Sequence, residues 1–137
     1  MSAKTIFFLG ATGFVGGNLA QKLLKQGHRL ICLARAGQNT SGRKRLRALL
    51  GQFFPDNSLE EIENTHLEII EGDITKPGLG LNDRTYARLL HETKEIWHCA
   101  ALLSFDERHR QDAETCNVTG TYRVLEFARA AQVNRFH

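Results

Sequence analysis

Four apolar residues, Ile6-Phe7-Phe8-Leu9, run directly into Gly10-Ala11-Thr12-Gly13-Phe14-Val15-Gly16, and an amphipathic segment follows. No other feature restricts the fold of this chain as strongly. A buried-type strand that meets glycines and enters a helix without a linker is a β-turn-α unit, the building block of parallel sheets with helical crossovers. The spacing gives each glycine a task. Gly10 makes the tight turn, Gly13 lets main chain approach a phosphate, and Gly16 lets the helix pack close on the strand. The helix N-terminus adds unpaired N–H groups and a positive dipole end, so the loop reads as a cradle for a dinucleotide pyrophosphate.

Strand and helix patterns alternate along the rest of the chain. Thr5 to Leu9 is the first strand. The first helix spans Phe14 to Lys25, with Val15, Leu19, Leu23 and Leu24 at helical spacing and Gly27 as a left-handed C-terminal cap. Arg29 to Ala34 is almost continuously apolar after its arginine, as a strand covered on both faces should be. A helix over Gly42 to Phe54 puts Leu46, Leu49, Leu50 and Phe53 on one stripe and stops at Pro55-Asp56-Asn57; Ser58-x-x-Glu61 reads as the capping box of a short helix. A third strand covers His66 to Glu71. After a turn-rich loop comes a helix with Tyr86, Leu89 and Leu90, capped by Asn82 or Asp83. Glu95 to Cys99 is the fourth strand and leads into Ala100-Ala101. The last helix, Ala113 to Ala131, carries Val118, Tyr122, Leu125 and Ala128, and Arg135-Phe136-His137 opens a fifth strand. The expected fold is α/β: one Rossmann-type domain over residues 1–137, a doubly wound parallel sheet that stops after its fourth main helix, at the start of strand five.

Composition narrows the function. With 137 residues, 42% hydrophobic and 24% charged, the chain can bury a core of ordinary size. A net charge of +3 is too small to argue for nucleic acid. No apolar run approaches the roughly 18–20 residues of a membrane span. The N-terminus passes straight into strand-like sequence without a signal peptide. Cys32, Cys99 and Cys116 form no CxxC pair, which fits reduced thiols in the cytoplasm.

Selectivity between dinucleotides is set just past the second strand, where an acid would accept from a ribose 2′-OH. Here that position holds Ala34-Arg35, and no acid occurs from Gly10 to Phe54. Arg35 is placed for bidentate contact with a 2′-phosphate, with a second cation from Arg43, Lys44 or Arg45, so the expected cofactor is NADP(H) rather than NAD(H). Lys44 and Arg47 also read as a solvated helix face. Asp73, at the carboxyl edge of the sheet, suits the adenine amino group, with Ile74 packing beside it; Gly-Asp is equally a good turn. Ala100-Ala101 are small either to admit a cofactor or to admit a helix.

These segments, with Glu71-Gly72-Asp73-Ile74-Thr75 and Asn117-Val118-Thr119-Gly120-Thr121, resemble in order and spacing the extended short-chain dehydrogenase/reductase superfamily. Cys32-Leu33-Ala34-Arg35-Ala36, Arg45-Leu46-x-x-x-Leu50 and above all Thr75-Lys76-Pro77-Gly78-Leu79-Gly80-Leu81 resemble its thioester reductase branch, which includes carboxylic acid reductases and fatty acyl-CoA reductases. The likeness implies NADPH-dependent reduction of a carrier- or CoA-bound acyl thioester to aldehyde or alcohol. It assigns the pyrophosphate to Gly10, Thr12, Gly13, Phe14, Val15 and Gly16, and the 2′-phosphate to Arg35 and Arg45. Asp73 and Ile74 flank adenine, Ala100, Ala101 and Leu102 border the nicotinamide-side ribose, and Asn117 supports the active site. Cys99 replaces an asparagine common in relatives, and Gly17 adds an unexplained second glycine to the first helical turn.

The superfamily's Ser/Thr and Tyr-x-x-x-Lys have no counterpart here, since Tyr86 is followed four residues on by Leu90 and Tyr122 by Glu126; both tyrosines read as packing residues. The resemblance therefore implies the front half of a longer reductase, inactive by itself, whose thioester partner engages only the full-length protein. Two alternatives are a fragment of a sugar-nucleotide epimerase or dehydratase-like reductase and a non-catalytic NADPH-sensing module. Loss of strands five and six would bare strand four, which predicts a homo-oligomer through that edge.

Overall fold

The computed structural model describes residues 2–55 and 57–137 and arranges five parallel strands in the order β3-β2-β1-β4-β5. β1 (Thr5–Leu9) is central, between β2 (Arg29–Ala34) and β4 (Glu95–His98). β3 (Leu67–Glu71) pairs outside β2, and the two-residue β5 (Arg135–Phe136) outside β4. The connections are α1 (Phe14–Lys25), α2 (Gly42–Leu50), α3 (Ser58–Thr65), α4 (Asp83–Glu92) and one helical rod. That rod consists of α5 (Arg110–Glu114), a π-turn at Thr115–Gly120 and α6 (Thr121–Ala131). Alternate residues of β1 feed two cores. Ile6 and Phe8 join Ala20, Leu24, Leu46 and Leu50 on one face, while Phe7 and Leu9 join Leu89, Val124 and Phe127 on the other. Covering both faces is what makes β1 and β2 read as unbroken apolar runs.

Local chemistry sets several boundaries. Past α1, Gly27 takes φ +83°, and the amides of Gly27 and His28 donate back to Leu24 and Leu23 oxygens at 3.0 and 3.1 Å, closing the helix. Asn82 Oδ1 caps α4 by accepting from Thr85 N–H at 2.8 Å. The second helix ends at Leu50, not Phe54, because the amides of Gln52 and Phe53 reach back only three residues, to Leu49 and Leu50. Asp56, in the expected stop, lies outside the described residues. The capping box at Ser58 does not form: Asn57 holds the cap position, and Ser58 Oγ donates to Pro55 O at 2.7 Å. β3 begins one residue later than expected, at Leu67, and β4 ends one earlier, at His98.

Each of the two long helices buries only part of its expected stripe: Leu24 and Ala128 are buried and Leu19 and Leu23 pack partly against the core, but the other expected members turn outward. In α1, Val15 is 62% exposed, and Gly16, Gly17, Ala20, Gln21 and Leu24 turn inward. Gly17 has a packing reason, since a Cβ there would lie 2.6 Å from Leu49 Cδ2 of α2. In the last helix, which starts at Arg110, the inward residues are Val124, Phe127, Ala128 and Ala131; Val118 and Tyr122 are 66% and 63% exposed, and Leu125 is exposed too. Both sides of this rod carry apolar residues, and small ones (Gly120, Ala128, Ala131) select the side that can approach the sheet. Tyr86 packs as expected, edge-on to Phe127 with ring centroids 5.3 Å apart, but Tyr122 does not.

The expected bare edge of β4 is also absent. Arg135 and Phe136 pair with Glu95 and Ile96, His98 N–H donates to His137 O at 2.8 Å, and His137 N–H to Ile96 O at 2.9 Å. Association through an open β4 edge therefore loses its premise.

At the amino end of β4, Glu95 is buried. Burial by itself opposes its charge, but Lys4 Nζ and Trp97 Nε1, each at 3.0 Å, and the nearby His137 ring outweigh this and hold the carboxyl below the usual carboxylate range. A depressed native value means that the contribution is complete above the unfolded carboxylate pKa and is lost as pH falls through the native one. Glu95→Gln is expected to cost roughly 1–3 kcal/mol at neutral pH and to flatten the acid limb of stability. Parallel acid limbs for the two proteins in denaturant titrations would refute the assignment.

Candidate functional site

The carboxyl ends of β1 to β4 deliver their loops into one cleft of about 270 Å³, at the point where the chain crosses from one side of β1 to the other. Open α/β sheets place ligands at such switch points. Gly10 takes φ +91°, and a Cβ on it would lie 2.4 Å from Ala100 N and Cys99 C. The first loop thus rests directly on the exit of β4. A Cβ on Gly16 would sit 1.9 Å from Gly10 O, so helix and turn are in main-chain contact. Gly13, by contrast, would meet only Gly10 O at 3.4 Å, which leaves its outer side open. Thr12 and Gly13 line the cleft. Gly13 is the N-cap of α1 and offers no side chain to the first amides, and the first turn holds no acid. These amides and the open main chain fit a phosphate group. The Phe14 and Val15 side chains point away, Phe14 being 87% exposed, so only their main chain can serve the site.

Beyond β2, Arg35 and Arg45 line the same cleft, and Arg45 Nη1 donates to Arg35 O at 3.1 Å. Ser41 Oγ caps α2 by accepting from Lys44 N–H at 3.1 Å, which orients the turn that carries Arg45. Arg43 is engaged elsewhere: it and Arg47 reach Glu63 of α3 at 3.6 and 3.0 Å. Of the three candidate second cations, the structure brings Arg45 to the cleft. Lys44 lies exposed on α2.

Beyond β3, Asp73 Oδ1 accepts from Thr75 N–H at 2.9 Å and Thr75 Oγ1 at 2.7 Å, and Asp73 N–H donates to Leu79 O at 2.8 Å. Ile74 is buried beside it and also lines the cleft. Gly78, Leu79 and Gly80 all take positive φ, so the loop turns back on Asp73; Leu79, a left-handed non-glycine at φ +58°, is held there by complete burial of its side chain.

Beyond β4, Ala100, Ala101 and Leu102 form the opposite wall. Asn117 does not line the cleft but stands behind that wall. Its Oδ1 accepts from Leu102 N–H at 2.8 Å and its Nδ2 donates to Leu102 O at 2.9 Å, replacing the strand neighbour that Leu102 lacks. Cys99 and Cys116 also face the cleft; burial pushes both thiols up, away from the thiolate a nucleophile needs. Cys32, in the core, is pushed up to about 12 by burial. Sequence reasoning did not single out Thr75 or Cys116 as site residues. The Asp73-x-Thr75 spacing was a usable signal, because an Asp side chain accepts from the amide two residues on. Among the described residues, no three His, Cys, Asp or Glu side chains converge as a metal site, and no helix is long and apolar enough to cross a membrane.

Comparison with known proteins agrees with this fold. The chain is 30% identical to isonitrile lipopeptide synthase of Mycobacterium tuberculosis, over 97% of its own length and 5% of that protein. It is 32% identical to fatty acyl-CoA reductase 2 of Bos taurus, over 91% of its length and 25% of the relative. The crystal structure of the terminal R domain from the myxalamid PKS-NRPS biosynthetic pathway superposes with a TM-score of 0.82 at 30% identity, covering all of this chain and 34% of that one. The chain thus spans a quarter or less of these two relatives and about a third of that structure. The profile of the male sterility protein family, a family of NAD-binding domains, matches residues 9–137, and the chain belongs to that family.

Proposed function

We propose that this chain forms the NADP(H)-binding portion of a reductase that acts on acyl thioesters. One observation carries the cofactor choice: Arg35 and Arg45 share a cleft with the glycine loop, and no acid stands at the end of β2. A ribose 2′-OH would leave these guanidinium groups without an anion, whereas a 2′-phosphate takes bidentate contacts from both. In this reading the pyrophosphate lies on the Gly10–Gly16 main chain. Asp73, its Oδ1 already held by Thr75, offers its other oxygen to the adenine amino group beside Ile74. The Ala100–Leu102 wall, fixed by Asn117, borders the nicotinamide ribose. When bound, the reduced nicotinamide supplies the hydride; this chain orients it, and the thioester and the acid/base groups are assigned to a longer reductase. The names of the relatives, a lipopeptide synthase and an acyl-CoA reductase, support an acyl substrate carried as a thioester.

Calorimetric titration with NADPH and NADH tests the reading. NADPH is expected to bind more tightly. Arg35→Ala is expected to weaken NADPH about tenfold or more while leaving NADH within about twofold. Equal affinity for the two, or an equal loss of both in the variant, would remove the case for a 2′-phosphate site.

A further inference from the structure

Two loops face each other across the cleft, Gly72–Gly80 after β3 and Ala100–Leu102 after β4, and both are anchored on the same stretch of the helical rod. Asn117 holds Leu102 by its two bonds. Gly120 meets Ile74: a Cβ there would lie 2.8 Å from Ile74 Cδ1, so the isoleucine rests on bare helix. Arg123 follows, and its Nη1 donates to the main-chain oxygen of Thr75. Thr75 is the residue whose amide and hydroxyl hold Asp73 Oδ1, while the Asp73 amide is held from the other side by Leu79 O. The contacts run without a gap from Arg123 through Thr75 to the Asp73 carboxylate. The π-turn Thr115–Gly120 contains the first two anchors, and the third lies in the first turn of α6, three residues beyond it; π-turns concentrate at functional sites.

We propose that Arg123 is a positioning residue for the adenine end of the cleft, acting through Thr75 on Asp73. The segment from Asn117 to Arg123 then sets the spacing between the adenine and nicotinamide ends. The inference rests on the dinucleotide reading of the cleft. Among the described residues Arg123 enters no ion pair; its acceptor is a main-chain carbonyl of the loop that carries Asp73. Arg123 is half-buried, so truncating it leaves both cores intact.

The test is calorimetry on the unsubstituted chain and on Arg123→Leu, Arg123→Lys and Asn117→Ala. The probes are NADP⁺ and adenosine 2′,5′-bisphosphate, which presents the adenine half alone; thermal unfolding is followed in parallel. Arg123→Leu is expected to weaken both ligands by the same factor, about tenfold, and Arg123→Lys to recover most of the loss. Asn117→Ala is expected to weaken NADP⁺ while leaving the bisphosphate within about twofold. A purely structural role would weaken both ligands in both variants, and that result overturns the inference. Bisphosphate affinity unchanged in Arg123→Leu, with the unsubstituted chain binding, overturns this inference alone. If the unsubstituted chain binds neither probe, the dinucleotide reading falls and this one falls with it.

Discussion

Gly10→Ala is expected to destabilise the chain by about 4 kcal/mol and to lower the unfolding midpoint by on the order of 10–15 °C. Two costs add. At φ +91° an L-side chain is strained by roughly 1–2 kcal/mol. Its Cβ would also sit 2.4 Å from Ala100 N and Cys99 C, both main-chain atoms of the β4 exit, and neither can rotate away. Forcing sheet and loop apart is overpacking in a rigid place and costs about 1–3 kcal/mol more. Gly27→Ala separates the two effects. Its φ is +83°, but nothing lies within 4 Å of the added Cβ, so only the backbone penalty of roughly 1–2 kcal/mol should remain. Thermal unfolding of both variants by circular dichroism decides the matter. Similar midpoints for the two would mean that the Gly10 loop gives way and that the contact between the turn and β4 is not rigid. Dinucleotide affinity should fall with Gly10→Ala as well, since Gly10 and Ala100, which the added Cβ would push apart, both line the cleft.

The parallel sheet was legible in the sequence because β1, β2 and β3 are short, mostly apolar runs with a glycine within two residues, and because the glycine loop dictates a strand-to-helix turn. The cap of α4 at Asn82 and the left-handed Gly27 followed from local chemistry alone. What sequence could not resolve depends on partners distant in the chain. Val15 sits at helical spacing with Leu19 and Leu23, yet it faces outward because Gly16 must touch Gly10 O. Spacing alone left Arg43, Lys44 and Arg45 open, and only the family resemblance singled out Arg45; the physical difference is Glu63, an acid on the next helix that engages Arg43 and Arg47. Capping at Ser58 failed because the helix starts at Ser58 itself, with Asn57 in the cap position, and the Ser58 hydroxyl turns back to donate to Pro55 O. Arg123 carried no motif at all, since its partner is a main-chain carbonyl 48 positions earlier.

The rotation of the last helix offers the sharpest disagreement between pattern and packing, and it can be measured. Phe127→Ala should cost about 3–5 kcal/mol, while Tyr122→Ala should stay within about 0.5 kcal/mol. Phe127 is fully buried, 5.1 Å from the Phe7 ring of β1 and edge-on to Tyr86 of α4, so its removal leaves a cavity among three elements that cannot collapse together. Tyr122 is 63% exposed on the same helix and loses little when truncated. The comparison needs chemical denaturation with unchanged m-values, so that the midpoints report stability and not a changed denatured state. The consequence reaches the site. The face that buries Phe127 and Val124 fixes the rotation that lets Asn117 reach Leu102 and Arg123 reach Thr75. Were Tyr122→Ala the costlier substitution, the rod would be turned about its axis and both anchors would leave their loops. Packing of an aromatic ring in the core and geometry at the two ends of the cleft are in this sense one constraint, carried by one helix.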